Sequence, residues 1–221
     1  LHLSIRRQRQ MCIRDSWAGP DIVRAEIFKA FGYFNTESSQ HMSEYVPYFR
    51  KHPELFDRLK LVFHLRQKIE MQRRPIQDEE LRRLLKSGKD IAIRRSDEYC
   101  SSIVHSMETG MPDLIYGNVK NTGIITNLPR GCCVEVPCLV DKSGVHPCYV
   151  GALPPQCAAL NRTNINVQEL GVRAAVEKDK TLAFQAILLD PLSSAVLTID
   201  ETRKMVDEMF EAESKYLRGC K

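Results

Sequence analysis

Three short stretches decide the fold class: DLIYGNV (113–119), GIIT (123–126) and CVEVPCLV (133–140). In each, β-branched and other apolar residues recur with a period near two, as the alternating faces of a strand require. DKSG (141–144) reads as a turn into VHPCYVG (145–151), so the last two strands are expected to pair as a hairpin.

On both sides of this block the period is helical. From Asp21, the residues Val23, Ile27, Ala30 and Phe31 share one face, and Gly32 supplies a stop. Pro53 and Glu54 open a helix carried on by Leu55, Leu59, Val62, Phe63 and Ile69. Pro75 is expected to break it, with a second charged helix from Asp78 to Gly88. Ser96 is the expected cap of a third, with Tyr99, Ile103, Val104 and Met107 as its buried stripe and Gly110 as its end.

After the strands, Pro154 and Pro155 sit where a first helical turn tolerates them, ahead of a long helix with Cys157, Leu160, Val167, Leu170 and Ala174 on one side. Leu182–Leu189 forms another, ended by Asp190 and Pro191. Thr198 with Glu201 makes a capping box for a last helix striped by Thr202, Met205, Val206, Met209 and Phe210. Helices, then a run of strands, then helices make an α+β fold with mixed or antiparallel strands flanked by helices.

Composition narrows the function classes. The 221 residues are 43% hydrophobic and 27% charged, with 11 Gly and 11 Pro, which argues against disorder, collagen and coiled coil. No apolar run approaches a membrane span, and LHLSIRRQRQ (1–10) has no apolar region after its basic residues, so neither a membrane protein nor a signal peptide is expected. The net charge of +4 is uneven: residues 1–16 carry a surplus of three positive charges and residues 66–95 a surplus of five. The 66–95 stretch holds no Phe, Tyr or Trp on which bases could stack, so it reads as a solvated helix face and no nucleic-acid partner is expected.

The eight cysteines (12, 100, 132, 133, 138, 148, 157 and 220) contain no C-x-x-C pair, and no His stands at zinc-finger spacing from them. They read as free thiols of a reducing, cytoplasmic compartment. The fingerprints G-x-G-x-x-G, G-x-x-x-x-G-K-[ST], G-x-S-x-G and H-E-x-x-H are absent. What remains as a candidate site is GYFNTESSQHMSEYVPYFRK (32–51), which carries more hydrogen-bonding chemistry than a core needs.

Taken together, GYFNTESSQHMSEYVPYF (32–49), IYGNVKNTGIITNLPRGCCVEVPCLVD (115–141) and TNINVQEL (163–170) resemble the C-terminal domain of family-4 glycoside hydrolases, nearest to the melibiase-type α-galactosidases. α-Galacturonidases and α-glucosidases of the family share much of the pattern. The similarity runs from about Asp21 to the end of the last helix. Residues 1–16 match nothing in it and read as a foreign segment, leaving 17–221 as a substrate-binding and oligomerisation domain.

The resemblance implies a fold like the C-terminal half of lactate and malate dehydrogenases, a dimer or tetramer, and a sugar substrate. It also implies NAD and Mn²⁺ as cofactors of the full-length enzyme. The family's Rossmann half and its Cys and His metal ligands have no counterpart here, so the resemblance implies a truncated, inactive chain with no cofactor or metal residue of its own. Family chemistry is an exception to the usual carboxylate pair: C3 of the sugar is oxidised, C2 loses a proton, the aglycone is eliminated, water adds and C3 is reduced again. A rival reading is a stand-alone sugar- or subunit-binding module without catalysis.

In relatives the proton acceptor, Asp or Tyr, comes from the loop equivalent to 32–51; here Ser38 stands at that position, a departure. His41 stands where an α-glucosidase relative carries Arg, and its imidazole suits a proton relay or a hydroxyl contact. Ser38 and His41 are thus the catalytic candidates, and Glu37, Glu44, Tyr45, Asn118 and Asn121 the substrate-binding ones. Four of them have a plainer reading: Glu37 as a helix cap, His41 as an ordinary polar residue, Asn118 and Asn121 as turn formers. Glu135 reads as a solvent or subunit-facing residue, and Asn164 and Asn166 as packing or interface residues.

Overall fold

The computed structural model describes residues 21–61, 65–88 and 98–220. Within them are nine helices, α1 (Ile22–Phe31), α2 (Ser39–Tyr45), α3 (Glu54–Arg58), α4 (Leu65–Ser87), α5 (Cys100–Thr109), α6 (Pro155–Glu177), α7 (Lys180–Leu189), α8 (Pro191–Val196) and α9 (Ile199–Ala212). Three strands, β1 (Asp113–Lys120), β2 (Cys133–Asp141) and β3 (Gly144–Pro147), lie between α5 and α6. The α+β reading holds. No helix among the described residues is long and apolar enough to cross a membrane.

The chain divides into two compact units. Of the described residues, one comprises 21–61, 119–134 and 149–220, and the other 65–88, 98–118 and 135–148. In the first, Val23, Ile27, Met42, Val46, Phe49, Leu59 and Leu61 form a buried cluster, with Ile22, Phe31, Leu55, Phe56 and Leu160 packed against it. The α1 stripe is shifted from its sequence reading: Ala25 is buried and Ala30 exposed. Gly32 ends α1 as expected, in the left-handed conformation (φ 78°), with its N–H on the Phe28 carbonyl.

α3 stops at Arg58, well short of the helix expected from Pro53. The stop is a Schellman turn. Lys60 N–H bonds the Asp57 carbonyl, Leu61 N–H bonds the Phe56 carbonyl, and Lys60 takes φ 53°. A non-glycine in that conformation is unfavourable, and the burial of Leu59 and Leu61 on either side offsets it. Val62, Phe63 and Ser96, expected in helices or as a cap, lie outside the described residues.

The three strands, ordered β1-β2-β3, fall mostly in the second unit. β2 and β3 pair antiparallel from Cys138–Pro147 to Asp141–Gly144, so DKSG is the hairpin turn the sequence indicates. Val134, Val136, Cys138 and Val140 are buried and alternate with exposed Cys133, Glu135 and Leu139, the period-two pattern made physical.

Pro75 lies inside α4 and does not end it. The residues from Met71 to Gly88 are exposed, so a carbonyl freed by the missing proline N–H can be solvated. On α5 the expected stripe is not buried: Tyr99, Val104 and Met107 are exposed, and Ser106 is the residue turned inward.

GIIT is not a strand either. A single parallel bridge joins Ile125 to Gly151, and the Asn121 side chain captures the backbone there, as described below. In the C-terminal part, α6 presents Cys157, Leu160, Val167, Leu170 and Ala174 half-buried, as its spacing predicts. A short helix, α8, follows Asp190, whose carboxylate caps it by accepting from Ser193 N–H. The Thr198–Glu201 capping box of α9 is present in both directions, with Thr202 and Val206 buried beneath it.

Candidate functional site

The segment 32–51 is organised by α1 and α2. Arg24, on α1, reaches over the Phe34 ring at 4.3 Å and donates from Nε and Nη2 to the Asn35 carbonyl at 3.3 Å. Asp21 holds the same guanidinium at 3.1 Å. Asn35 then donates from Nδ2 to the Glu37 carbonyl at 2.8 Å, and the Glu37 carboxylate accepts from Ser38 N–H at 2.8 Å. A polar loop is thereby folded back on the first turn of α2.

Ser38 is the N-cap of α2, its Oγ accepting from His41 N–H at 3.3 Å. His41 is half-exposed, and its Nδ1 lies 3.1 Å from Glu44 Oε2. Glu44 Oε1 accepts in turn from Arg50 Nη2 at 3.0 Å. Arg50 is buried, also donates to Ser43 Oγ and the Gln40 carbonyl, and lies against Phe56. Burial pulls its guanidinium pKa down while Glu44 pulls it back up. The Tyr45 ring stacks on His41, with centroids 6.3 Å apart and planes 14° from parallel. Burial, then the charges of Glu37 and Glu44, push the Tyr45 phenol above its usual value.

Beside this cluster is a cavity of about 470 Å³, within the range of small-molecule clefts. Tyr33, Phe34, Glu37 and Tyr45 line it from the 32–51 side, and Asn161 and Asn164 from α6. Asn164 Nδ2 donates to the Tyr45 carbonyl at 3.2 Å, so the two walls are tied together. Cys157 also lines the cavity, its thiol pushed up by burial and so poorly nucleophilic. Asn35 is another lining residue, and its Oδ1 is buried without a hydrogen-bond partner among the described residues.

Five of the seven site candidates therefore fall together: Glu37, Ser38, His41, Glu44 and Tyr45. The two asparagines do not join them. Asn121 is fully buried, and its amide nitrogen donates to the carbonyls of Ile125, Leu128 and Pro129. Its amide oxygen accepts from the N–H groups of Gly123 and Ile125. No group is left over for a sugar, so Asn121 is a loop-organising residue and not a substrate ligand. Asn118 is exposed on β1 and belongs to the other unit. Asn166 accepts from Arg162 on its own helix at 2.8 Å. Asn35 and Arg50 lie inside the polar stretch 32–51 but were not singled out within it, and nothing local marks Arg24 or Asn161.

Among the described residues no three His, Cys, Asp or Glu converge as metal ligands. The profile of the family 4 glycosyl hydrolase C-terminal domain matches residues 4–193.

The chain belongs to this family.

The match begins inside the 1–16 stretch set apart in the sequence and ends ahead of α9, so a boundary at residue 16 does not coincide with it. The chain is 43% identical over 203 residues to an α-galactosidase of Bacillus subtilis, covering 89% of this chain and 46% of that protein. It is 31% identical to an α-galacturonidase of the same organism, over 82% of this chain and 40% of the relative. Among solved structures, the Bacillus subtilis glucosidase candidate lplD superposes with a TM-score of 0.74 at 26% identity, covering 85% of this chain and 42% of that one. A 6-phospho-α-glucosidase from gut microorganisms, solved with NAD and Mn²⁺, shares the fold at a TM-score of 0.64, 18% identity, and 86% and 41% coverage. The family 4 chain thus spans under half the length of these relatives.

Proposed function

We propose that this chain is the sugar-binding, C-terminal part of an α-galactosidase. The observation that carries it is the cavity beside α2, where aromatic faces and the side-chain amides of Asn161 and Asn164 line one space of about 470 Å³. Aromatic faces suit the C–H faces of a sugar ring, and amides suit hydroxyls, which both donate and accept. Identity of 43% to an α-galactosidase supports that sugar.

The described residues do not fit NAD or manganese: no metal-ligand cluster exists among them, and the sequence has no Gly-rich nucleotide turn. No step through either group is assigned to this chain. Its own residues bind and orient the sugar. His41 does not itself line the cavity but stacks on Tyr45, which does, and with Nδ1 engaged by Glu44 it is the proton-handling group of this reading. Ser38 holds the helix turn that carries His41. Assembly into a dimer or tetramer belongs to the same proposal.

The test is a chimera in which this chain replaces the corresponding part of the Bacillus subtilis α-galactosidase, supplied with NAD and Mn²⁺. It should hydrolyse an aryl α-galactoside and, in heavy water, place deuterium at C2 of the released galactose, whereas the 221-residue chain alone should release nothing. A soluble chimera that cleaves only α-galacturonides, or galactose released without C2 label, would overturn the reading.

A further inference from the structure

We infer that Glu37 makes the sugar cavity selective by charge, admitting neutral glycosides and rejecting hexosides that carry a carboxylate or phosphate. The inference rests on the sugar-binding reading above. Among the described residues that line the cavity, Glu37 is the one charged side chain, and no Lys, Arg or His lines it. The two arginines of the adjoining cluster are already engaged. Arg24 is held by Asp21 at 3.1 Å and by the Asn35 carbonyl, and Arg50 is buried behind Glu44.

Glu44 is answered by Arg50 at 3.0 Å and His41 at 3.1 Å, whereas Glu37 accepts a backbone N–H and has no ion-pair partner among the described residues. Its charge therefore acts on whatever enters. Tyr45 lines the same side of the cavity, where burial first and then the charges of Glu37 and Glu44 raise its phenol. Like charges a few ångströms apart repel by about 1 kcal/mol even in water, roughly a fivefold loss of affinity.

Two probes differing at C6 alone test this: methyl α-galactopyranoside and the corresponding methyl α-galacturonide, titrated into the 221-residue chain by NMR. At low ionic strength the neutral glycoside should bind about fivefold tighter or better. Glu37→Gln keeps a side-chain oxygen for the Ser38 N–H while removing the charge, and should bring the ratio close to one. Added salt, which screens the repulsion without any substitution, should narrow the ratio in the unmodified chain.

The charge inference is overturned if the galacturonide binds as tightly as the neutral glycoside, or if neither Glu37→Gln nor salt changes the ratio. If neither probe perturbs the residues around the cavity, the sugar-binding reading itself falls, and the inference falls with it.

Discussion

Arg50 holds Glu44 from behind: its buried guanidinium donates at 3.0 Å to one carboxylate oxygen while the other lies 3.1 Å from His41 Nδ1. The three side chains span both ends of α2 and the turn after it. The imidazole that the proposed chemistry uses is therefore oriented by a residue nine positions on in the chain.

Arg50→Ala should destabilise the chain by about 1–2 kcal/mol, the cost of lost charged hydrogen bonds and of a carboxylate left with less support. Glu44→Gln alone should cost less, because Glu44 is partly exposed and solvent screens it. The double substitution should cost less than the two singles added. Urea denaturation of the four proteins checks it, and strict additivity would show that the pair is not coupled.

Asn121→Ala should be the more damaging change, about 3 kcal/mol or more, since three carbonyls and two N–H groups lose their partner inside the fold. Thermal unfolding should show the loss, and hydrogen exchange should locate it at 121–131. A near-native melting temperature would contradict the loop-organising role.

Ser38 offers a separation of capping from catalysis. As an N-cap, Ser38→Ala should cost about 1 kcal/mol and Ser38→Gly only a few tenths. In the active chimera, Ser38→Gly should therefore retain most of its turnover, while His41→Ala should lose about 10²-fold or more. Equal collapse of activity in Ser38→Gly and Ser38→Ala would make the hydroxyl part of the chemistry.

Thr198 holds Glu201 below the ordinary glutamate pKa of 4.5, first by its backbone N–H and then by its hydroxyl. A lowered pKa contributes stability that is present above the ordinary value and lost as pH falls through the folded one. The first turn of α9 should accordingly lose exchange protection as acid is added below about pH 4.5. Glu201→Gln should flatten that dependence, and unchanged acid sensitivity in the variant would assign it to another group.

Local chemistry made much of this protein readable from its sequence. The β2–β3 hairpin follows from period-two alternation and DKSG. The end of α1 follows from Gly32 and the start of α9 from the Thr198–Glu201 box, because each depends on residues within one turn of each other. The clustering of Glu37, Ser38, His41, Glu44 and Tyr45 was legible for the same reason: nine consecutive positions folded on one short helix stay together.

The tertiary structure decided what depends on distant partners. Asn118 and Asn121 look alike in GNVKN, yet burial and five hydrogen bonds to residues 123–129 give Asn121 to the loop and leave Asn118 exposed on β1. GIIT has strand composition, but the Asn121 side chain takes the Gly123 and Ile125 amides, leaving only Ile124 and Thr126 to bond residues 150–151. The cavity needs Asn161 and Asn164, more than a hundred residues from Phe34 and Tyr45. Periodicity reports which face of an element is apolar; which element covers that face is settled only when the chain closes on itself and every buried polar group must find a partner.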